Sequence, residues 1–176
     1  MSTACLEGFW CEILLKQSRQ CCKFVGDLSS AKELSRSAGS QMAILEWKNS
    51  YSVGIERLDK QHRHLLELIN QLSTLDPTSP GRKELFTLLN AFAEYAQTHF
   101  ETEEQYLKRY DFPGLAQQQR EHIAFTADVF RLAQQLEQAD PSIYTKIAAF
   151  VKDWYISHIL GTDREYIDFL NAKGAK

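Results

Sequence analysis

Four stretches of the chain after Met42 carry apolar side chains at alternating steps of three and four residues, and proline or glycine turns separate them. That spacing marks helices with one buried face. In the first, Leu58, His62, Leu65, Ile69 and Leu72 share a face, and Asp76-Pro-Thr-Ser-Pro80-Gly81 ends it. The second covers about residues 80–110, aligns Leu88, Phe92, Tyr95, His99, Glu103 and Tyr106, and breaks at Asp111-Phe-Pro113-Gly114. The third aligns Leu115, Gln118, His122, Phe125, Val129, Leu132 and Leu136. Asp140-Pro141 then reads as an N-cap followed by proline at the first helical position. The fourth carries Ile143, Ile147, Phe150, Trp154 and His158 and is expected to run to about Leu170. Four such helices with short connections predict an all-α, up-down-up-down four-helix bundle. No strand pattern and no internal repeat compete with it.

The chain has 176 residues and 44% apolar content, which suits one domain with a real core. Residues 1–41 differ from the rest. They hold all four cysteines (Cys5, Cys11, Cys21, Cys22) and a serine-rich run over residues 28–40, with no sustained periodicity. They are expected to form a poorly ordered tail that the fold does not need, ahead of a domain spanning 42–176. A thiol-based redox role for the vicinal Cys21 and Cys22 is the alternative. With no cysteine beyond Cys22, a disulfide framework or cysteine-ligated zinc is excluded from the main domain. Free thiols fit a reducing cytoplasm, the expected location. The net charge of −3 supplies no basic face for nucleic acid. No stretch approaches the roughly 20 apolar residues that cross a bilayer. Residues 9–15 are interrupted by Glu12 and lack a small-residue cleavage site nearby, so no signal peptide is read.

Four of the five histidines fall on the inward stripes, one per helix: His62, His99, His122 and His158. Burying a polar ring costs roughly 1–3 kcal/mol unless it is satisfied. One such histidine would be ordinary; four on facing stripes imply a common task. Glu103 follows His99 by four residues and shares its face. Asp163 follows His158 by five, about 140° around an ideal helix, so the two converge only if they straddle the inward line or the helix is distorted. Two carboxylates and several imidazoles without a thiolate suit iron, manganese or zinc better than copper(I). Two potential bridges favour a dinuclear site. His64, two residues from His62, points elsewhere, toward solvent or a supporting role. Glu101 and Glu104 fall off the stripe and read as a solvated acidic face. A ferritin-like site would require Glu-x-x-His on two helices; only Asp59-Lys-Gln-His62 approaches that pattern, once.

These residues, Asp59-Lys-Gln-His62, His99-Phe-Glu-Thr-Glu103-Glu104, Phe112-Pro113 ahead of His122, and Trp154-Tyr-Ile-Ser-His158 ahead of Asp163, resemble the bacterial hemerythrin family over about residues 44–170. The resemblance implies a hemerythrin-like bundle holding two non-haem iron ions, bridged by carboxylates and an oxo or hydroxo group. His62 and His99 would ligate one iron, His122 and His158 the other, with Glu103 and Asp163 between them. It also implies O2 bound end-on at the His62/His99 iron, in a dry pocket walled by Leu65, Phe100, Trp154 and Ile159.

Two positions depart from the family pattern. Gln118 stands where the family has a histidine four residues before that at 122. It keeps to the inward stripe, but its amide oxygen is a weaker donor than imidazole. The implied consequences are weaker retention of the second iron, a shifted potential and faster autoxidation. Tyr155 replaces a leucine usual beside the ligand pocket; its phenol would either hydrogen-bond a bound oxygen species or pack with its hydroxyl toward solvent. Three functions fit these residues. The first, taken as the expectation, is O2 binding for storage, delivery or sensing, without enzymatic activity. The second is turnover of peroxide or nitric oxide at a position left open by Gln118. The third is a metal-poor helical interaction domain. A protein partner is not specified by the chain.

Overall fold

Glu56 and Asp59 place negative charge in the first turn of α1 (Glu56–Ser73), where unsatisfied backbone N–H groups and the helix dipole favour it. The Asp59 carboxylate also pins the incoming chain by accepting from Val53 N (2.8 Å) and Ser52 Oγ (2.5 Å). In this computed structural model the described residues are 45–175, within a unit spanning Gln41–Lys176. The expectation for residues 1–41 lies outside them.

α2 (Arg82–Arg109) and α3 (Leu115–Glu137) follow, then α4 (Ile143–Trp154). α1 packs on α2 and α4, and α3 packs on the same two. This is the four-helix bundle that the apolar spacing predicts, and the described residues contain no strand. α2 and α3 end alike. At each, one residue takes a left-handed conformation, Asp111 (φ 56°) or Ala139 (φ 57°), and the next N–H reaches back to the carbonyl five residues earlier. Asp140 departs from the expected N-cap role at the next helix. Its carboxylate accepts from Ser142 N and Oγ, so it caps the turn before α4, and Ser142 occupies the N-cap itself.

The fourth helix is not one continuous rod to Leu170. After Trp154 the backbone widens into a π-helical turn, Tyr155–Ile159, closed by Leu160 N to Tyr155 O at 3.1 Å. A tighter 3-10 turn, Thr162–Tyr166, and a short helix α5 (Ile167–Ala172) follow. Gly161 joins them. A Cβ there would collide with the Ser157 carbonyl oxygen, so only glycine passes so close. Single π turns inside helices often mark functional sites.

Apolar layers lie on both sides of the polar stripe. Along α1, His62 stands between the fully buried Leu58 and Leu65; along α2, His99 and Glu103 stand between Ala96 and Leu107. Val53, Ile55, Leu58, Leu107, Tyr166 and Leu170 form one apolar cluster. Truncating such a leucine to alanine costs about 2–5 kcal/mol, so a deep polar site is held by a core that excludes water from both ends.

Candidate metal centre

Each of the four bundle segments contributes one inward imidazole, and His62, His99, His122 and His158 are all at most 1% exposed. Glu103 and Asp163 are completely buried among them. The chain between His158 and Asp163 leaves α geometry, running from the end of the π turn through Gly161 into the 3-10 turn, and both side chains face inward, with His158 Nε2 3.2 Å from Asp163 Oδ1.

The donors separate into two groups of buried atoms, each within 4.8 Å of one another: His62, His99 and Asp163, and Glu103, His122 and His158. Each carboxylate lies between the groups. Glu103 Oε2 is 3.2 Å from His122 Nε2 and 3.6 Å from His99 Nε2. Asp163 Oδ2 is 3.4 Å from His62 Nε2, while its Oδ1 faces His158. His122 Nε2 and His158 Nε2 approach to 3.2 Å.

Several of these atoms are buried without a hydrogen-bond partner: both ring nitrogens of His62, His99 Nε2, both Glu103 oxygens, Asp163 Oδ2 and Gln118 Oε1. A lone buried acceptor of this kind costs about 1–3 kcal/mol, and a cation among so many would stabilise them together. Neutral imidazole, carboxylate and amide oxygen are the donors that suit a non-haem iron ion, so the residues present fit that group. Three of the four rings are held in the neutral form that metal ligation needs. Burial pushes His62 down to about 4 and His99 well below its ordinary value. Burial also lowers His158, so three rings are neutral. Burial works against the charged form of His122 too, but the facing Glu103 and Glu104 carboxylates outweigh it and raise its value. Burial and the charge of Glu103 raise Asp163 well above the carboxylate range. Burial opposes ionisation of Glu103 as well, yet the hydrogen bond to His122 and the charge of that ring bring it down.

Gln118 is 1% exposed and does face the cluster: its Nε2 donates to Asp163 Oδ1 at 3.3 Å, leaving Oε1 unpartnered. Leu65, Phe100 and Ile159 are buried, and Trp154 is half-buried. Phe100 stacks on His122 (centroids 3.9 Å, 3° between planes) and Trp154 on His158 (4.0 Å, 22°). Phe100 and Trp154 therefore lie directly on rings of the second group, and Phe100 also meets His99 at 5.7 Å. Tyr155 is 3% exposed, meets Tyr51 edge-on at 6.0 Å, and its hydroxyl is buried with no partner. His64 is exposed and 3.4 Å from Glu67. Glu101 is exposed and accepts from Gln105.

Other neighbours of the site were given no part in it from the sequence. Glu104, read there as a solvated acid, contacts His122 Nδ1 at 2.8 Å. Glu121 contacts His158 Nδ1 at 2.6 Å, and Gln61 Oε1 is 3.2 Å from His99 Nδ1. Tyr95 stacks on His99 (5.1 Å, 20°), and the Tyr166 hydroxyl is buried without a partner. The available signal was adjacency: Glu104, Glu121 and Gln61 each sit next to a ligand-type residue, Tyr95 lies four residues before His99, and Tyr166 three after Asp163.

Comparison with known proteins agrees with this geometry. Residues 53–170 match the family model described as the Hemerythrin HHE cation binding domain. A bacteriohemerythrin of Clostridium acetobutylicum is 30% identical over 127 residues, covering 69% of this chain and 98% of that protein. One from Stenotrophomonas maltophilia is 29% identical over 131 residues, covering 74% and 84%. A myohemerythrin of Riftia pachyptila is 26% identical over 120 residues, covering 68% and 88%.

Proposed function

The chain belongs to the hemerythrin family, and on that premise we propose that its bundle holds two iron ions and takes up O2 reversibly, for storage, delivery or sensing. Members of this family are non-haem iron proteins that bind oxygen and are not enzymes. His62 and His99 would hold one ion, and His122 and His158, with the amide oxygen of Gln118, the other; Glu103 and Asp163, which lie between the two groups, would serve both. The observation that carries this reading is the convergence of four buried imidazoles and two buried carboxylates, among which inward atoms of His62, His99, Glu103 and Asp163 lack protein partners.

Iron, when bound, supplies the electrons that carry O2 toward the peroxide level. The protein does the rest with its own side chains. Glu103 and Asp163 neutralise positive charge in a dry interior. Leu65, Phe100, Trp154 and Ile159 keep water from the ligand. The Tyr155 hydroxyl is buried and has no protein partner. Burial raises the pKa of that phenol, so it stays protonated. Residues 42–176 are the functional domain. A cytoplasmic location belongs to the same proposal and rests on cysteines confined to the first 22 residues.

The test is anaerobic loading of the full chain with ferrous iron, followed by cycles of air and argon. Visible absorption that appears in air and fades under argon through several cycles is the expected result. Absorption that never reverses, with hydrogen peroxide consumed, would contradict reversible binding.

A further inference from the structure

The Gln117-Gln118-Gln119 run uses all three side chains at one site. Gln118 points inward toward Asp163. Its neighbours point outward and each holds a glutamate. Gln117 Nε2 donates to Glu121 Oε1 at 3.2 Å, and Gln119 Nε2 donates to Glu104 Oε2 at 3.0 Å. The other oxygens of those glutamates meet the outer ring nitrogens of the second group, Glu121 Oε2 on His158 Nδ1 at 2.6 Å and Glu104 Oε1 on His122 Nδ1 at 2.8 Å. The first group has nothing comparable. His99 Nδ1 meets only the neutral amide of Gln61, and His62 Nδ1 has no partner.

This asymmetry has a chemical meaning. A carboxylate accepting from Nδ1–H fixes the tautomer, turns Nε2 inward as the ligating atom, and makes that nitrogen a stronger donor. An amide at Nδ1 fixes orientation with far less effect on basicity. The charge assistance therefore falls on the group whose third donor is an amide rather than an imidazole. Resting on the di-iron reading above, we propose that Glu104 and Glu121, anchored by Gln119 and Gln117, are positioning residues that strengthen His122 and His158 as ligands and so offset the weak donor Gln118. Both glutamates are partly exposed, 24% and 31% by side chain, at the rim of the bundle.

The experiment is an anaerobic ferrous titration of the full-length chain against a competing chelator, which resolves the two sites. Glu104→Gln and Glu121→Gln keep a hydrogen-bond acceptor and remove the charge. Removing such an outer partner weakens metal binding by about 10–100-fold. One site constant is expected to fall about tenfold in each variant and more in the pair, with the other unchanged. Gln118→His in the double variant should restore most of the loss, which a merely structural role would not produce. If the double variant unfolds, Gln117→Ala with Gln119→Ala loosens the anchors without touching the acids, and a smaller, equally one-sided loss is expected. Two site constants within twofold of the parent, or equal losses at both sites, would overturn the inference while leaving the di-iron reading intact. A parent chain that binds no iron would overturn both.

Discussion

Replacing Gln118 by histidine separates what this residue does for the metal-free bundle from what it does for a bound ion. In the metal-free protein Gln118 donates to Asp163 at 3.3 Å from a site 1% exposed. Losing that long bond costs about 1 kcal/mol, or roughly 2–4 °C in Tm for a domain of this size. With iron the sign reverses. An imidazole that binds the second ion tenfold tighter adds about 1.4 kcal/mol at saturating metal. The iron-dependent rise in Tm should therefore grow by about 4 °C in Gln118→His, even though the variant starts lower. The assay is thermal unfolding under argon with and without ferrous iron, paired with an iron count. Iron per chain should also rise toward two, and autoxidation in air should slow. An unchanged iron-dependent increment, with iron content unmoved and the metal-free form destabilised, would refute the reasoning: the side chain would then serve Asp163 and never the metal.

His99→Ala should abolish reversible oxygen binding and remove at least one iron, whereas His64→Ala, on an exposed ring, should leave iron content and Tm within error. In the metal-free protein, unfolding free energy should fall as pH drops from about 6.5 toward 4. Neutral buried His62, His99 and His158 have lowered folded values, so the unfolded chain binds more protons there. His62 alone, shifted to about 4, contributes on the order of 3 kcal/mol. Asp163, raised, opposes this as one group against three, and His122, also raised, is protonated in both states over that window. Denaturant midpoints at a series of pH values check the slope; a profile that rises toward acid would contradict it. Gly161→Ala, whose Cβ meets the Ser157 carbonyl, should unmake the π turn, shift Asp163 and lower iron content; parent-like iron content and circular dichroism would argue against that role.

The bundle was legible because apolar residues at steps of three and four leave little choice of fold, and the six ligand-type residues because imidazole and carboxylate are anomalous on such a stripe. Periodicity says which face a residue occupies; it does not say which side chain crosses to a neighbouring helix. Glu104 lies off the stripe of α2, yet it is long enough to reach His122 on α3, so it read as solvated. Glu121 reaches His158 in the same way. The spacing of His158 and Asp163 required a distortion without specifying it; the structure supplies the π turn, with Gly161 just after it. Phe100 was legible as a wall, but its stacking on His122 depends on the rotation of α2 against α3, which no single-helix pattern contains.

Iron content bears most directly on the whole account. Reconstituted anaerobically with excess ferrous iron and desalted, the full chain should retain more than one iron per chain by elemental analysis, short of the two expected of Gln118→His, and His158→Ala should retain fewer. Iron no higher than that of a metal-free control protein would contradict the claim that these buried imidazoles and carboxylates are there to hold metal.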